Sequence, residues 1–152
     1  MENNIYNQLK LLIGKPFKHS ESMAGRWLEY TLLSVEPGEL EATLVVRKEM
    51  TNPNHMLHGG MIAMISDELC GLAFYSLGYT HYYTTVNLSV DYLYSAPEGS
   101  TIRAKASVMR SGKKIANIEC YIYDADNRII SHAKSNLVNT EKEAFGLSVE
   151  KS

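Results

Sequence analysis

Apolar and polar residues alternate along much of this chain, as expected for strands that bury one face. The predicted strands span 27–35, 39–47, 82–94, 101–110, 114–123 and 128–139. In the four most regular strands the inward positions are Leu40, Ala42, Leu44 and Val46; Val86, Leu88, Val90 and Tyr92; Ile102, Ala104, Ala106 and Val108; Ala116, Ile118, Cys120 and Ile122. Breaks rich in Gly, Pro and Asp lie between strands at 36–38, 96–99, 111–113 and 124–127. Such short turns predict antiparallel neighbours in a meander.

Two segments have helical spacing instead. Residues 4–13 carry apolar side chains one turn apart and stop before Gly14 and Pro16, which predicts a short amphipathic helix. The segment 59–77 is apolar on most sides and low in β-branched residues, which is typical of a long buried helix. Gly78 is predicted to end it.

The predicted order of elements is a short helix, two strands, the long helix and four more strands. One small flat sheet cannot bury a long apolar helix, so the sheet must curl around it. The sequence therefore predicts an α+β fold in which a curled antiparallel sheet of about six strands wraps around one long central helix. The 152 residues fit a single domain, 1–152, with its core at about 25–140.

Composition and charge narrow the classes of function. The chain is 45% hydrophobic and 21% charged, which excludes a disordered or collagen-like protein. With 15 basic and 17 acidic residues the net charge is −2, so neither nucleic acid nor an anionic membrane is a predicted partner. Two cysteines predict no disulfide framework. The acidic start and the absence of a long apolar run indicate neither a secretory signal nor a transmembrane helix, and we expect a cytoplasmic protein.

The candidate chemistry lies in residues 52–71, NPNHMLHGGMIAMISDELCG. Gly59 and Gly60 open the long helix, where N–H groups lack intrahelical acceptors and the helix dipole is positive. Without a Cβ, they let a substrate oxygen approach the backbone, which suits the oxyanion of an acyl group under attack. Asp67 lies in the same apolar helix and must face a partner, water or a cleft, because an unpaired buried carboxylate is costly. It can act there as a general base on water or as a nucleophile.

This segment resembles the hot-dog-fold acyl-CoA thioesterases of the phenylacetate-pathway and 4-hydroxybenzoyl-CoA type. The matching features, over roughly residues 25–140, are the element order, Asn52, His58-Gly59-Gly60 six residues later, Asp67 seven residues after Gly60, Pro97 and the turn Arg110-Ser111-Gly112-Lys113. The resemblance implies the hot-dog fold and hydrolysis of an acyl-CoA thioester to a free acid and coenzyme A. It also implies dimers, often paired into tetramers, whose active sites lie at the dimer interface.

The resemblance implies roles for three further residues. Asn52 would donate an amide N–H to the thioester oxygen, His58 would orient the loop or contact the thioester, and Thr85 would hold the attacking water. A structural interpretation stays open for each of them: a turn former before Pro53, a satisfied histidine and a strand-surface threonine.

The substrate contacts are predicted less specifically. Arg110, Lys113 and Lys114 flank a turn and can bind the coenzyme A phosphates, although a solvated hairpin turn explains them equally well. Gly60 is also predicted to be a substrate-binding residue. Glu68 departs from the family pattern, which often has a small or polar residue after the aspartate, and we expect it to be solvated or structural. Candidate linings of the acyl pocket are Met56, Met61, Met64 and Phe74.

Helix geometry adds a prediction about assembly. Gly59 and Asp67 are eight residues apart, which is about 12 Å along one helix axis. Both can act on one thioester carbonyl only if they come from different chains. Two antiparallel helices across a two-fold axis would pair Gly59 of one protomer with Asp67 of its partner. We therefore predict an obligate homodimer with two composite sites.

Other functions fit the sequence less well. His55 and His58 lack a third zinc ligand, so no metal site is predicted. Cys70 lies inside the helix, which argues against a cysteine nucleophile. The motifs of hot-dog dehydratases and hydratases are absent, as are Gly-rich nucleotide-binding motifs, so no cofactor is predicted. A non-catalytic acyl-CoA or lipid-binding module of the same fold stays open as the alternative, and turnover would separate the two.

Overall fold

A computed structural model describes residues 4–18 and 20–146 of the chain. The helices are α1 (Asn4–Lys10), α2 (Met23–Leu28) and α3 (Gly59–Tyr75), and a short 3-10 turn spans Lys48–Met50. The strands are β1 (Thr31–Glu36), β2 (Glu39–Val45), β3 (His81–Tyr92), β4 (Thr101–Ser111), β5 (Ile115–Tyr123) and β6 (Ile129–Glu143). No helix within the described residues is long and apolar enough to cross a bilayer.

The six strands form one antiparallel sheet in the order β1-β2-β4-β5-β6-β3. The central helix α3 contacts β2, β3, β4, β5 and β6, so the sheet curls around it as predicted. The inward apolar side chains of β2, β4 and β5 are buried beneath α3. Fully buried members are Leu40, Ala42, Ile102, Ala104, Ala106, Ala116, Cys120 and Ile122. The many alanines among them leave room for the helix to pack closely on the sheet.

The break at 96–99 predicts a hairpin that joins β3 to β4, and this prediction is wrong. β3 pairs with β6 at the far edge of the sheet. The connecting segment is bonded elsewhere, since Leu57 donates its N–H to the Ala96 carbonyl at 2.7 Å and Gly99 donates its N–H to the Val46 carbonyl at 2.8 Å. These bonds tie the segment to the loop before α3 and to the end of β2. The chain therefore crosses the sheet at this point instead of turning back.

The predicted strand 27–35 is correct only from Thr31 onward, because its first residues complete α2. Ser22 caps the start of α2, and Glu29 ends the helix in a left-handed conformation with φ of 55°. Arg47 then donates to two carbonyls at the helix C-terminus at 2.7 and 2.9 Å. Since these partners are distant in sequence, local pattern alone misplaced the boundary. The predicted helix 4–13 is likewise shorter and continues as turns after α1.

The central helix is not enclosed on all sides, contrary to its apolar pattern. Its buried face includes Ile62, Ile65, Leu69, Cys70 and Ala73. A stripe on another face is exposed or partly exposed, and it consists of Gly60, Ala63, Met64, Asp67 and Gly71. The sheet of one chain leaves this stripe uncovered. The Asp67 carboxylate is accessible for this reason.

The edge strand β3 departs from simple alternation. Its register with β6 shifts between Thr85 and Asn87, which leaves Val86 in a bulge with 62% of its surface exposed. A bulge reverses which side chains face the helix. Thr85 before it and Leu88 after it are therefore partly buried, whereas the predicted inward positions Val86 and Tyr92 are exposed.

Candidate active site

The helix start leaves one backbone donor open. His58 is the N-cap of α3, with extended backbone, and its Nδ1 accepts the Gly60 N–H at 2.9 Å. The His58 carbonyl accepts the N–H groups of Met61 and Ile62 at 2.9 and 3.1 Å. In the part of the chain that the structure describes, the Gly59 N–H has no acceptor. The capping histidine thus leaves the N–H of Gly59, and not that of Gly60, open to a further acceptor.

A tyrosine from the end of β3 covers this helix start. The Tyr92 hydroxyl donates to the Gly59 carbonyl at 3.1 Å. A Cβ on Gly59 would lie 3.2 Å from the Tyr92 ring, so the absence of a side chain permits this close contact. The sequence placed Tyr92 among inward strand residues and missed the contact, because the bulge in β3 cannot be read from alternation.

The loop before the helix is ordered by Asn52. Its Oδ1 accepts the N–H groups of Asn54 and Met56 at 2.9 and 3.2 Å, which is the arrangement of a turn former. The Asn52 N–H also donates to the Met56 carbonyl at 2.8 Å. The side-chain oxygen is therefore engaged in the loop. The side-chain NH2 has no acceptor among the described residues and keeps the capacity to donate.

Asp67 lies in the middle of α3, where it meets Thr85 of β3. Thr85 donates its hydroxyl to Oδ1 of Asp67 at 2.7 Å. The two residues belong to the same chain, and the bulge in β3 turns Thr85 toward the helix. No donor among the described residues reaches Oδ2 of Asp67. One carboxylate oxygen is thus anchored by a charge-assisted bond, and the other is open to water.

Unlike Asp67, Glu68 is bonded to residues that precede β1. Ser20 and Tyr30 donate their hydroxyls to its Oε1 at 2.9 and 3.3 Å. Burial raises the pKa of Glu68, and the hydrogen bonds from Ser20 and Tyr30 oppose this rise. The carboxylate leaves no room for a Cβ at Gly25 of α2. Glu68 therefore ties the N-terminal segment to the central helix, in agreement with its expected structural role.

A cavity of about 600 Å³ opens beside the Asp67–Thr85 pair. Aromatic rings line much of it: the ring centroids of Phe74 and Tyr83 lie 4.4 Å apart, and those of Phe74 and Tyr79 lie 5.1 Å apart. Glu68 lines it as well. Of the four linings proposed from sequence, Phe74 lines this cavity, whereas Met56, Met61 and Met64 do not. The tyrosines were missed because they lie in a different segment, Tyr79 just before β3 and Tyr83 within it.

The basic residues Arg110, Lys113 and Lys114 lie exposed at the turn between β4 and β5. None of them forms an ion pair with a described residue, so all three are available to an anion.

The Gly59 N–H and the Asp67 carboxylate lie far apart within one chain. Gly59 and Asp67 are separated by two helical turns, about 12 Å along the axis.

The family is shown by a direct match. The model of the Thioesterase superfamily matches residues 54–131, which contain the helix start, Asp67 and Thr85. The chain belongs to the thioesterase superfamily. This membership confirms the predicted family and makes the chain a thioester hydrolase by family.

Comparison with individual proteins gives the same family. It is 30% identical over 86 residues to human acyl-coenzyme A thioesterase 13, a match that covers 57% of this chain and 61% of the human protein. The fold is similar to that of the Escherichia coli PaaI protein from the phenylacetic acid degradation operon, with TM-score 0.75, 19% identity and coverage of 81% of this chain and 88% of PaaI. It is also similar to that of smu.793 from Streptococcus mutans bound to acetyl CoA, with TM-score 0.71, 22% identity and coverage of 76% and 91%. The predicted hot-dog fold is thereby confirmed.

Proposed function

We propose that this chain hydrolyses an acyl-CoA thioester to a free acid and coenzyme A. The observation that carries the proposal is the 2.7 Å bond from Thr85 to Asp67 beside an aromatic cavity of about 600 Å³. The cavity has room for an acyl group next to the carboxylate. The acetyl CoA bound to smu.793 supports an acyl-CoA as the substrate class.

In the proposed reaction, Asp67 takes a proton from water through Oδ2 while Thr85 holds Oδ1. The oxygen of that water attacks the thioester carbonyl carbon. The carbonyl oxygen becomes an oxyanion that accepts hydrogen bonds from the Gly59 N–H and the Asn52 amide. The C–S bond then breaks and coenzyme A leaves as a thiolate, which needs no strong general acid because thiols are acidic. Arg110, Lys113 and Lys114 bind the coenzyme A phosphates.

We propose further that the active unit is a homodimer, because Gly59 and Asp67 of one chain lie too far apart for one carbonyl. Two observations support this arrangement. β3 is an edge strand with exposed apolar side chains, namely Tyr82, Val86 and Tyr92. The stripe on α3 that carries Asp67 is uncovered in a single chain. A second copy packed on both features would bring its Gly59 to the Asp67 of the first.

Free-thiol release from short, medium, long and aromatic acyl-CoAs tests the proposed activity. We expect Asp67→Asn to lose at least about 10²-fold in kcat, because it removes the general base and keeps the shape of the side chain. Asp126→Asn, in the exposed turn between β5 and β6, is the matched control and should retain the wild-type rate.

Retention of more than about half the wild-type rate by Asp67→Asn would remove Asp67 from the role of base. The absence of thiol release with every acyl-CoA would favour a binding module instead. In that case acyl-CoAs would raise the melting temperature of the wild-type protein without being consumed.

A further inference from the structure

Tyr83 connects the aromatic cavity to the basic turn. It lies on β3 two residues before Thr85, so both side chains point to the same side of the strand. Its ring lines the cavity and packs against Phe74, with only 8% of the residue exposed. Its hydroxyl extends beyond the cavity to the turn between β4 and β5.

The hydroxyl is shared between two consecutive backbone carbonyls of that turn. It lies 3.1 Å from the Gly112 oxygen and 3.0 Å from the Lys113 oxygen. The phenol is a donor at neutral pH, because its ordinary pKa is about 10 and burial raises the pKa further. The turn therefore has a side-chain anchor that begins in the aromatic cavity.

A second residue completes the anchor from β6. Asn139 donates its side-chain N–H to the Lys113 oxygen at 3.1 Å and its backbone N–H to the Lys114 oxygen at 2.9 Å. Within the turn, Gly112 donates its N–H to the Ile115 oxygen at 3.0 Å, and a Cβ on Gly112 would lie 2.7 Å from that oxygen. The backbone from which the basic side chains extend is thus fixed by bonds from two other strands.

We propose that Tyr83 is a positioning residue that holds the basic turn at the end of the aromatic cavity, so that the acyl group and the coenzyme A phosphates are bound in one fixed relation. This inference rests on the proposed acyl-CoA hydrolysis. Arg110, Lys113 and Lys114 are long and exposed, and their reach to a phosphate depends on where the turn backbone sits. Loosening the turn weakens the binding of the substrate and of the transition state equally, so it raises KM and leaves kcat unchanged.

Tyr83→Phe tests this role because it keeps the ring in the cavity and removes only the hydroxyl. The variant is assayed on an acyl-CoA and on the N-acetylcysteamine thioester of the same acyl group, which has no phosphates. We expect KM for the acyl-CoA to rise about three- to tenfold at unchanged kcat, and both constants for the short thioester to stay at wild-type values. Calorimetry with coenzyme A alone should show a similar rise in Kd.

Two further variants complete the comparison. Asn139→Ala removes the second anchor and should show the same selective loss on the acyl-CoA. Tyr121 lies on β5, and its ring stacks on His132. Tyr121→Phe is the control and should leave KM and kcat unchanged for both substrates.

An unchanged KM in Tyr83→Phe, or an equal loss on both thioesters, would overturn the inference. If the wild-type protein hydrolyses neither thioester, the proposed function is refuted. The role of Tyr83 is then tested separately, by comparing the Kd of coenzyme A for wild type and Tyr83→Phe in calorimetry. Equal Kd values, or no binding of coenzyme A by the wild type, would then overturn the role of Tyr83 as well.

Discussion

Single residues in this site are distinguished by which polar groups are already bonded. His58 occupies the Gly60 N–H, and Thr85 occupies one oxygen of Asp67. The Gly59 N–H and the second oxygen of Asp67 remain open. In the proposed reaction, the first of these open groups donates to the oxyanion and the second accepts a proton from water.

Removal of one backbone N–H tests the oxyanion assignment. Gly59→Pro should lower kcat about 10²–10³-fold relative to Gly59→Ala, because it deletes a single oxyanion donor. Proline is tolerated at the first helical position, and His58 before it has ψ of 138°, which proline accepts.

Gly59→Ala is the matched control for that variant. Both variants add a Cβ, which would lie 3.2 Å from the Tyr92 ring, but alanine keeps the N–H. Steady-state rates on one acyl-CoA measure the difference. Equal rates for the two variants would remove the Gly59 N–H from the mechanism.

At the scale of elements, the central helix is joined to the N-terminal segment by one carboxylate. Glu68 of α3 accepts hydrogen bonds from Ser20 and from Tyr30, which flank α2. Because burial raises the pKa of Glu68, the folded chain binds a proton there more tightly than the unfolded chain does. The stability of the folded chain therefore depends on pH through Glu68.

The pH dependence of the stability should follow the direction of this pKa shift. The stabilisation from protonated Glu68 is complete below the ordinary carboxyl pKa of 4.5 and is lost as the pH rises through the raised folded-state pKa. We expect the free energy of unfolding of wild type, minus that of Glu68→Gln, to decrease as the pH rises from 4.5 through the raised folded-state pKa. Urea unfolding across this range measures it, and parallel curves for the two proteins would contradict the assignment.

At the scale of the whole molecule, the proposed site needs two chains. The exposed edge of β3 and the uncovered stripe of α3 are both features that one chain leaves without a partner. A two-fold axis would cover them together and create two equivalent sites. Sedimentation of the protein as a monomer at assay concentrations would exclude this arrangement.

A mixing experiment tests whether the sites are composite. Asp67→Asn and Gly59→Pro are each expected to be inactive alone. After subunit exchange at equal amounts, half of the dimers are mixed and each has one intact site, so we expect about a quarter of the wild-type activity to return. If each site lay within a single chain, no mixed dimer would contain an intact site and no activity would return.

Much of this architecture was determined by the sequence itself. Alternation in β2, β4 and β5 identified their buried faces, because each strand lies in a regular part of the sheet where period two holds. The run from Asn52 to Asp67 indicated the site, because the helix start and the carboxylate are set by local spacing along the chain.

Only the tertiary structure decided the remaining features. The pairing of β3 with β6, the bulge at Val86 and the end of α2 all depend on partners far away in sequence. The bulge is what turns Thr85 toward Asp67, and the aromatic cavity forms where β3 meets the helix. These contacts join distant segments, and a pattern of neighbouring residues contains no record of which distant segment will pack beside it.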